Sequence, residues 1–268
     1  EEPGILLAQA AKKLEMSPPI SCKSRCQIQM FGQTLVGEGN YYQKGQGSGL
    51  TRLEIKYDIS PQITFESTQV CDGKFYYWIQ QFADDRTIEF IDLQRLKSNK
   101  IEIETGPSQW LARSGTASLL RNLSTAFEFE KPIPTQLGDH EMLLLKGQWK
   151  QKSLESILHG QVNYQDDQTI HWNQLPDQLP HYVEVYLGTD DFLHLFPYRL
   201  SFFKFDESGK REESPTMTLE LYKVQKVAQL PDELFQVNSE GSQQIDLSGN
   251  YSNHIDYLAG AAKDVERR

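Results

Sequence analysis

Residues 27–93, QIQMFGQTLVGEGNYYQKGQGSGLTRLEIKYDISPQITFESTQVCDGKFYYWIQQFADDRTIEFIDL, decide how this chain folds. They break into short segments divided by polar turns: QIQMF, TLVGEGNYYQ, LTRLEIKYD, QITFESTQV, KFYYWIQQ and TIEFIDL. In the third, Leu53, Ile55 and Tyr57 fall on one side, and Arg52, Glu54, Lys56 and Asp58 on the other. A period of two belongs to a strand with one face buried. Segments of this length, joined by tight turns, predict an antiparallel meander. Cys71-Asp72-Gly73 is one such turn, of the Asp-Gly type. Gly37 and Gly39 interrupt the second segment and predict a bulge or bend. Gly45-Gln46-Gly47-Ser48-Gly49 has the glycines of a phosphate-binding loop, but Leu50 stands where a third glycine belongs. The loop also leads into a strand rather than a helix, so it reads as a hairpin turn.

Upstream, Ile5 to Met16 sets Leu7, Ala10, Ala11 and Leu14 on one helical stripe, and Ser17-Pro18-Pro19 stops it. Such a helix needs an apolar surface, which the sheet supplies. Residues 94–130 read as a helical cover. Its clearest part is Thr116 to Phe127, with Leu119, Leu120, Leu123, Ala126 and Phe127 on one side and Thr116 as N-cap. Pro132 and Pro134 end the segment that follows.

A second β-rich stretch spans 139–237. It contains HEMLLLKGQWK, a short helix from Ser153 to His159, a polar connection over 160–179, and the strands VEVYLG, PYRLSFFKFD and TMTLELYKV. The last two are joined by a charged tip at Glu207–Glu213. Residues 238–268 read as a polar tail, frayed or disordered from Ala259. No break in composition separates the two β-rich halves. The expectation is one α+β domain over 1–268: a long curved antiparallel sheet of about nine to eleven strands, forming an unclosed barrel under a helical lid.

Composition narrows the function. The net charge of -10 and the lack of any basic cluster argue against nucleic acid as a partner. An acidic surface also gives no attraction to anionic membranes, and its blander reading is solubility. No apolar run reaches the ~18 residues of a membrane span. The chain begins Glu1-Glu2-Pro3, without Met or an apolar leader, so a processed product working in the periplasm or outside the cell is expected. Of three cysteines, Cys22 and Cys26 precede the first expected strand with C-x3-C spacing. A small disulfide loop and free thiols both remain open there.

Catalytic patterns are sparse. His140-Glu141 starts like a zinc-protease motif, but Leu144 stands in place of the second histidine. The six histidines have no metal-ligand spacing, and no cofactor motif is present. His171 sits in a loop where a base could act, yet a lone loop histidine is more often only solvated. Asp84-Asp85, Asp166-Asp167 and Asp190-Asp191 each neighbour a predicted turn, where Asp bonds its own backbone. Asn122 and Asn250 match the glycosylation sequon; the first lies on the amphipathic helix, and both read as chance.

The hairpin Val70-Cys71-Asp72-Gly73-Lys74-Phe75-Tyr76-Tyr77-Trp78 resembles that of the LolA-like superfamily of outer-membrane lipoprotein carriers. Arg52 resembles the arginine of the strand before it. Pro197–Phe202, Leu219–Val224 and Leu234-Phe235 resemble that family's closing elements, so the match runs over about 20–240. The resemblance implies an unclosed β-barrel, a helical lid, an apolar cavity between them, and carriage of lipid or acylated protein through a periplasm. It further implies that Arg52 latches the lid, although Thr51 and Leu53 replace the family's flanking aromatics.

A ligand in such a cavity would meet Leu53, Ile55, Tyr57, Phe65 and Trp78 from the first strands, and Leu119, Leu123 and Phe127 from the helix. From the closing strands it would meet Leu143, Leu145, Leu200, Phe202, Leu219 and Leu221. The expected function is therefore a non-catalytic, monomeric binding or carrier protein with no cofactor, passing its load by transient contact with membrane-bound donors or acceptors. Two alternatives stand beside it: a structural or protein-interaction module of the cell envelope whose lid is packed core, and an enzyme built on His171 and the carboxylate pairs.

Overall fold

The computed structural model describes residues 2–30, 32–98, 115–158, 179–206 and 209–248. A first helix, α1 (Pro3–Met16), leads into six long strands: β1 (Ile20–Met30), β2 (Gln33–Gln43), β3 (Thr51–Ser60), β4 (Ile63–Cys71), β5 (Phe75–Phe82) and β6 (Asp85–Asp92). Each pairs antiparallel with the one before it. Burial follows the sequence period: Ile55 and Tyr57 are buried, while Lys56 and Asp58 are exposed. At the Asp72-Gly73 turn, Asp72 Oδ1 accepts from the backbone N–H of Lys74 and Phe75 at 2.8 and 2.7 Å.

Among the described residues there follow the helices α2 (Leu93–Ser98) and α3 (Gly115–Ala126), then β7 (Phe127–Phe129), β8 (Ile133–Leu137), β9 (His140–Trp149) and a helix α4 (Gln151–Leu158). The closing strands are β10 (Tyr182–Gly188), β11 (Pro197–Phe203) and β12 (Met217–Lys226). A 3-10 turn (Asp232–Phe235) and β13 (Gln243–Asp246) end the described chain.

One sheet of 13 strands carries both halves, in the order β13-β6-β5-β4-β3-β2-β1-β12-β11-β10-β9-β7, with β8 also on β9. The second meander joins the first at β1, where Cys26 faces Leu219 and Ser24 faces Leu221. The edges, β13 on one side and β7 with β8 on the other, do not pair, so the barrel stays open. The sheet exceeds the expected count because three strands were too short or too polar to register. They are Phe127–Phe129, Ile133–Leu137 with Pro134 on an edge, and Gln243–Asp246. The last departs from the antiparallel rule and runs parallel to β6.

β1 also starts at Ile20, before the expected Gln27. Its core face is Ile20, Cys22, Ser24 and Cys26, all buried, so a strand with small half-polar residues inside looked like a linker. This placement excludes the small disulfide. Residues four apart on one strand lie about 13 Å apart, beyond the ~7 Å Cα limit of a bridge. Both thiols are free.

Gly37 and Gly39 make no bulge, since β2 keeps unbroken register with β1 and β3. They allow close approach instead: a Cβ on Gly39 would lie 1.8 Å from the Glu54 carbonyl oxygen, and one on Gly37 would strike Ile55 and Tyr57.

The concave face is covered by α1 and α3 packed together. α1 buries Leu6, Leu7, Ala10, Ala11 and Leu14; α3 buries Ala117, Leu119, Leu120, Leu123 and Ala126. Each buried leucine contributes about 1.5–3 kcal/mol relative to exposure. An ion pair between Glu15 and Arg121 ties the two helices. Phe127 is not on the helix as expected: the chain turns into β7 after Ala126, and its ring packs 4.3 Å from that of Trp149. His171, Asp166-Asp167, Asn250 and the 160–178 connection lie outside the described residues.

Across the convex face, direct cross-strand neighbours alternate in sign: Arg199, Glu220, Arg25, Glu38, Lys56, Glu66. Arg25–Glu38 and Lys56–Glu66 close at 2.8 and 3.1 Å, and Arg199 pairs with Glu220. Each exposed pair contributes only ~0–1 kcal/mol. Together they make one side of the sheet a self-neutralised, hydrated surface.

The loop at 45–49 does more than turn the chain. The N–H of Gly47 donates to the Glu15 carbonyl at 2.9 Å and that of Gln46 to Ser17 at 3.0 Å, so the loop caps the C-terminal end of α1. Gly45 has φ of +66°, and a Cβ there would sit 2.0 Å from the Ser17 carbonyl oxygen. Gly49 has φ of +72° with nothing within 4 Å. Gly49→Ala is expected to cost about 1 kcal/mol from backbone strain alone, and Gly45→Ala clearly more because the cap must also move. Thermal melts of the two variants check this; equal shifts in Tm would show that the loop does not hold α1.

Candidate functional site

Between the N-terminal end of α3 and the sheet lies a cavity of about 90 Å³. β3 contributes Thr51, Leu53, Ile55 and Tyr57; β11 and β12 contribute Leu200, Phe202, Met217 and Leu219; β1 and β2 contribute Cys26 and Tyr41. α3 closes it with Gly115, Thr116 and Leu119. Alternation sends every second residue of these strands to the concave side, so residues far apart in sequence meet here.

The cavity has an apolar floor and one polar wall. On that wall Ser67, Gln69 and Tyr76 line the space, with the Tyr76 hydroxyl donating to Gln69 Oε1 at 2.8 Å. Trp78 lies on the same face further out, its Nε1 donating to Ser67 Oγ at 3.1 Å and its cross-strand neighbours being Gln69 and Glu89. The expectation of a wholly apolar concave face fails at β4–β6. Among the described lining residues none carries a charge.

Of the residues singled out from sequence, Leu53, Ile55, Tyr57, Leu119, Leu200, Phe202 and Leu219 line the cavity. Phe65 stacks on Tyr57 at 5.9 Å, beside the space rather than in it. Leu123, Phe127, Leu145 and Leu221 are buried in packed core, with Leu143 half-buried against it.

Among the described residues Arg52 makes no hydrogen bond to the lid helices. It stands between Thr51 and Leu53, which face the cavity, and so points to the convex side. There its Nε donates to Glu54 Oε1 at 2.6 Å and its Nη1 to the Leu234 carbonyl at 3.2 Å.

The lid is tied through Tyr41 and Gln43, which sequence reading passed over. Thr116 on α3 is hydrogen-bonded to the Tyr41 hydroxyl. That hydroxyl donates to Gln43 Oε1, and Gln43 Nε2 donates to the Leu14 carbonyl at the end of α1. Ser17 Oγ donates to the same carbonyl at 2.8 Å. A single buried relay thus joins both lid helices to β2. Burial raises the Tyr41 pKa, keeping the phenol neutral as a donor. The signal was available: Tyr41 and Gln43 share the core face of β2, where a glutamine must find partners.

Among the described residues no three His, Cys, Asp or Glu side chains gather as metal ligands. Asp190 Oδ1 accepts from the Leu193 N–H at 3.0 Å, as turn chemistry requires, and His181 Nδ1 accepts from the Phe205 N–H at 2.9 Å. No described helix is long and apolar enough to cross a membrane.

The open barrel under a helical lid is the architecture that the superfamily resemblance implies. No family model matches the chain, and no curated protein does. Solved structures that resemble it include the MucA/MucB complex of Pseudomonas aeruginosa, at 11% identity and a TM-score of 0.36 over 89% of this chain. This chain spans 62% of the length of that one. A putative outer membrane lipoprotein-sorting protein domain from Vibrio parahaemolyticus is 9% identical over 86% of this chain and 94% of its own, with a TM-score of 0.37. Lipoprotein LppX of Mycobacterium tuberculosis is 10% identical over 85% of this chain and 98% of its own, also at 0.37.

Burial holds the two strand thiols protonated. Desolvation pushes Cys22 up to about 12 and Cys26 up to about 11, the latter moderated by a hydrogen bond with Tyr57. Their folded pKa values exceed the unfolded value of 9.0, so the stability they contribute is complete below pH 9 and is lost as pH rises through about 11 for Cys26 and about 12 for Cys22. Denaturant midpoints are expected to fall between pH 8 and pH 10.5, and Cys22→Ala/Cys26→Ala to flatten that fall. In the native state at pH 8, intact-mass analysis with iodoacetamide should show half-buried Cys71 alkylated first; prompt labelling of Cys22 or Cys26 would contradict the placement.

Proposed function

We propose that this chain is a non-catalytic binding protein of the cell envelope, taking the apolar end of a lipid or acylated protein between the concave sheet and α3. The observation that supports it is the uncharged cavity under Leu119, with an apolar floor for hydrocarbon and a wall of Ser67, Gln69 and Tyr76 for an ester, amide or acid group.

Magnitudes say how binding must work. Each buried methylene contributes about 0.8 kcal/mol, and micromolar affinity needs about 8.2 kcal/mol, so roughly ten methylenes must leave water. A cavity of about 90 Å³ is smaller than the ~150 Å³ that admits benzene. Loading therefore requires α3 to move away from the sheet, against the Thr116–Tyr41–Gln43 relay. A membrane-bound donor or acceptor that opens the lid would suit this requirement.

The tight relay and small space also favour a second reading, a protein-interaction module whose lid never opens. Displacement of a fluorescent fatty acid, with native mass spectrometry of lipid-exposed protein, separates the two. The carrier reading expects saturable binding that Leu119→Trp, by filling the cavity, weakens at least about tenfold, while Leu119→Ala retains it. Absence of both a bound lipid and displacement would sink it.

A further inference from the structure

The convex face carries an opening of its own. After β12 the chain crosses back over β3–β6, held by the Arg52–Leu234 hydrogen bond, by Arg86 Nη1 donating to Ser242 Oγ at 3.2 Å, and by the parallel pairing of β13 with β6. Val237 packs against Val70, Ile79 and Ile88. Between strap and sheet remains a groove of about 330 Å³, at the lower end of the ~300–1,000 Å³ typical of small-molecule sites.

Its chemistry is dipolar. The floor is Ile79 and Val237. Of four charged groups lining it, Arg52 and Glu54 neutralise each other at 2.6 Å. The other two come from different elements: Arg86 from β6 and Glu233 from the strap. Arg86 donates one hydrogen bond, to Ser242, out of the five a guanidinium offers. Among the described residues neither Arg86 nor Glu233 has an ion-pair partner, although both line the same groove. The side-chain amides of Gln236 and Asn238 complete the wall.

We infer that this groove is a binding site for a small zwitterion with an apolar side chain, an α-amino acid or dipeptide. Its carboxylate pairs with Arg86, its ammonium with Glu233, and its side chain lies on Ile79 and Val237. A ligand with one charge satisfies one wall and leaves the other unmatched, which is what selects a molecule bearing both. The site faces away from the lid, so it stands or falls independently of lipid carriage.

The test uses leucine against two isosteres, 4-methylpentanoate without the amine and 3-methylbutylamine without the carboxylate. Each is titrated into the ¹⁵N-labelled chain and followed by amide chemical shifts. Leucine is expected to move the amides of Ile79, Arg86 and Glu233–Asn238 saturably, and to bind about tenfold more tightly than either isostere, the worth of one charged hydrogen-bond pair. Arg86→Gln should reduce leucine to the affinity of 3-methylbutylamine, and Glu233→Gln to that of 4-methylpentanoate. Arg86→Lys should restore part of the loss and, with unchanged shift dispersion elsewhere, show that the fold is intact. Shifts that are absent, that lie only elsewhere, that are equal for all three compounds, or that ignore Arg86→Gln each overturn the proposal.

Discussion

Everything in this molecule depends on β1 being paired on both sides. The first meander runs away from it through β2 to β6, and the second returns to it through β12. This seam, with Cys26 opposite Leu219 and Ser24 opposite Leu221, joins the two meanders into one curved surface. The inward face of β1 is accordingly made of small residues: Cys22, Ser24 and Cys26 leave room for the lid helices and for the rings of Tyr41 and Tyr57 beside them. Gly37 and Gly39 on β2 extend the same economy of volume, leaving room for the β3 backbone at Glu54 and for Ile55 and Tyr57.

From that curvature the two faces acquire opposite roles. The concave face collects the apolar residues of both meanders and needs a cover, which α1 and α3 provide while leaving the space under Leu119. The convex face is kept in water by its row of alternating charges, interrupted where the C-terminal strap settles on Val70, Ile79 and Ile88. Arg52 belongs to this second system. Its hydrogen bond to the Leu234 carbonyl holds the strap, and the strap in turn covers the edge of β6 with β13.

Much of this was legible in the chain. The period of two in β3, the Asp72-Gly73 turn and the stripes of α1 and α3 each follow from local chemistry, and the unclosed sheet follows from their order. What was hidden has physical reasons. β1 begins early because cysteine and serine serve as core residues there, which a hydrophobic pattern does not count. β7, β8 and β13 are held by neighbours rather than by their own composition. The true lid tie runs from Thr116 through Tyr41 and Gln43 to the Leu14 carbonyl, three stretches that only the fold brings together. Arg52 is the instructive case: the alternation that places Leu53 inside already places Arg52 outside, and resemblance to a family pattern obscured it.

The central claim is that the concave face, opened at α3, is where hydrocarbon lies. A crystal structure of the chain with a fatty acid brominated at its terminal carbon tests it directly, because anomalous scattering locates the bromine without interpretation of weak density. The account predicts a peak among Leu53, Leu119, Leu200 and Leu219, with α3 displaced from the sheet. A peak confined to the convex groove, or bromine nowhere in the molecule, would contradict it.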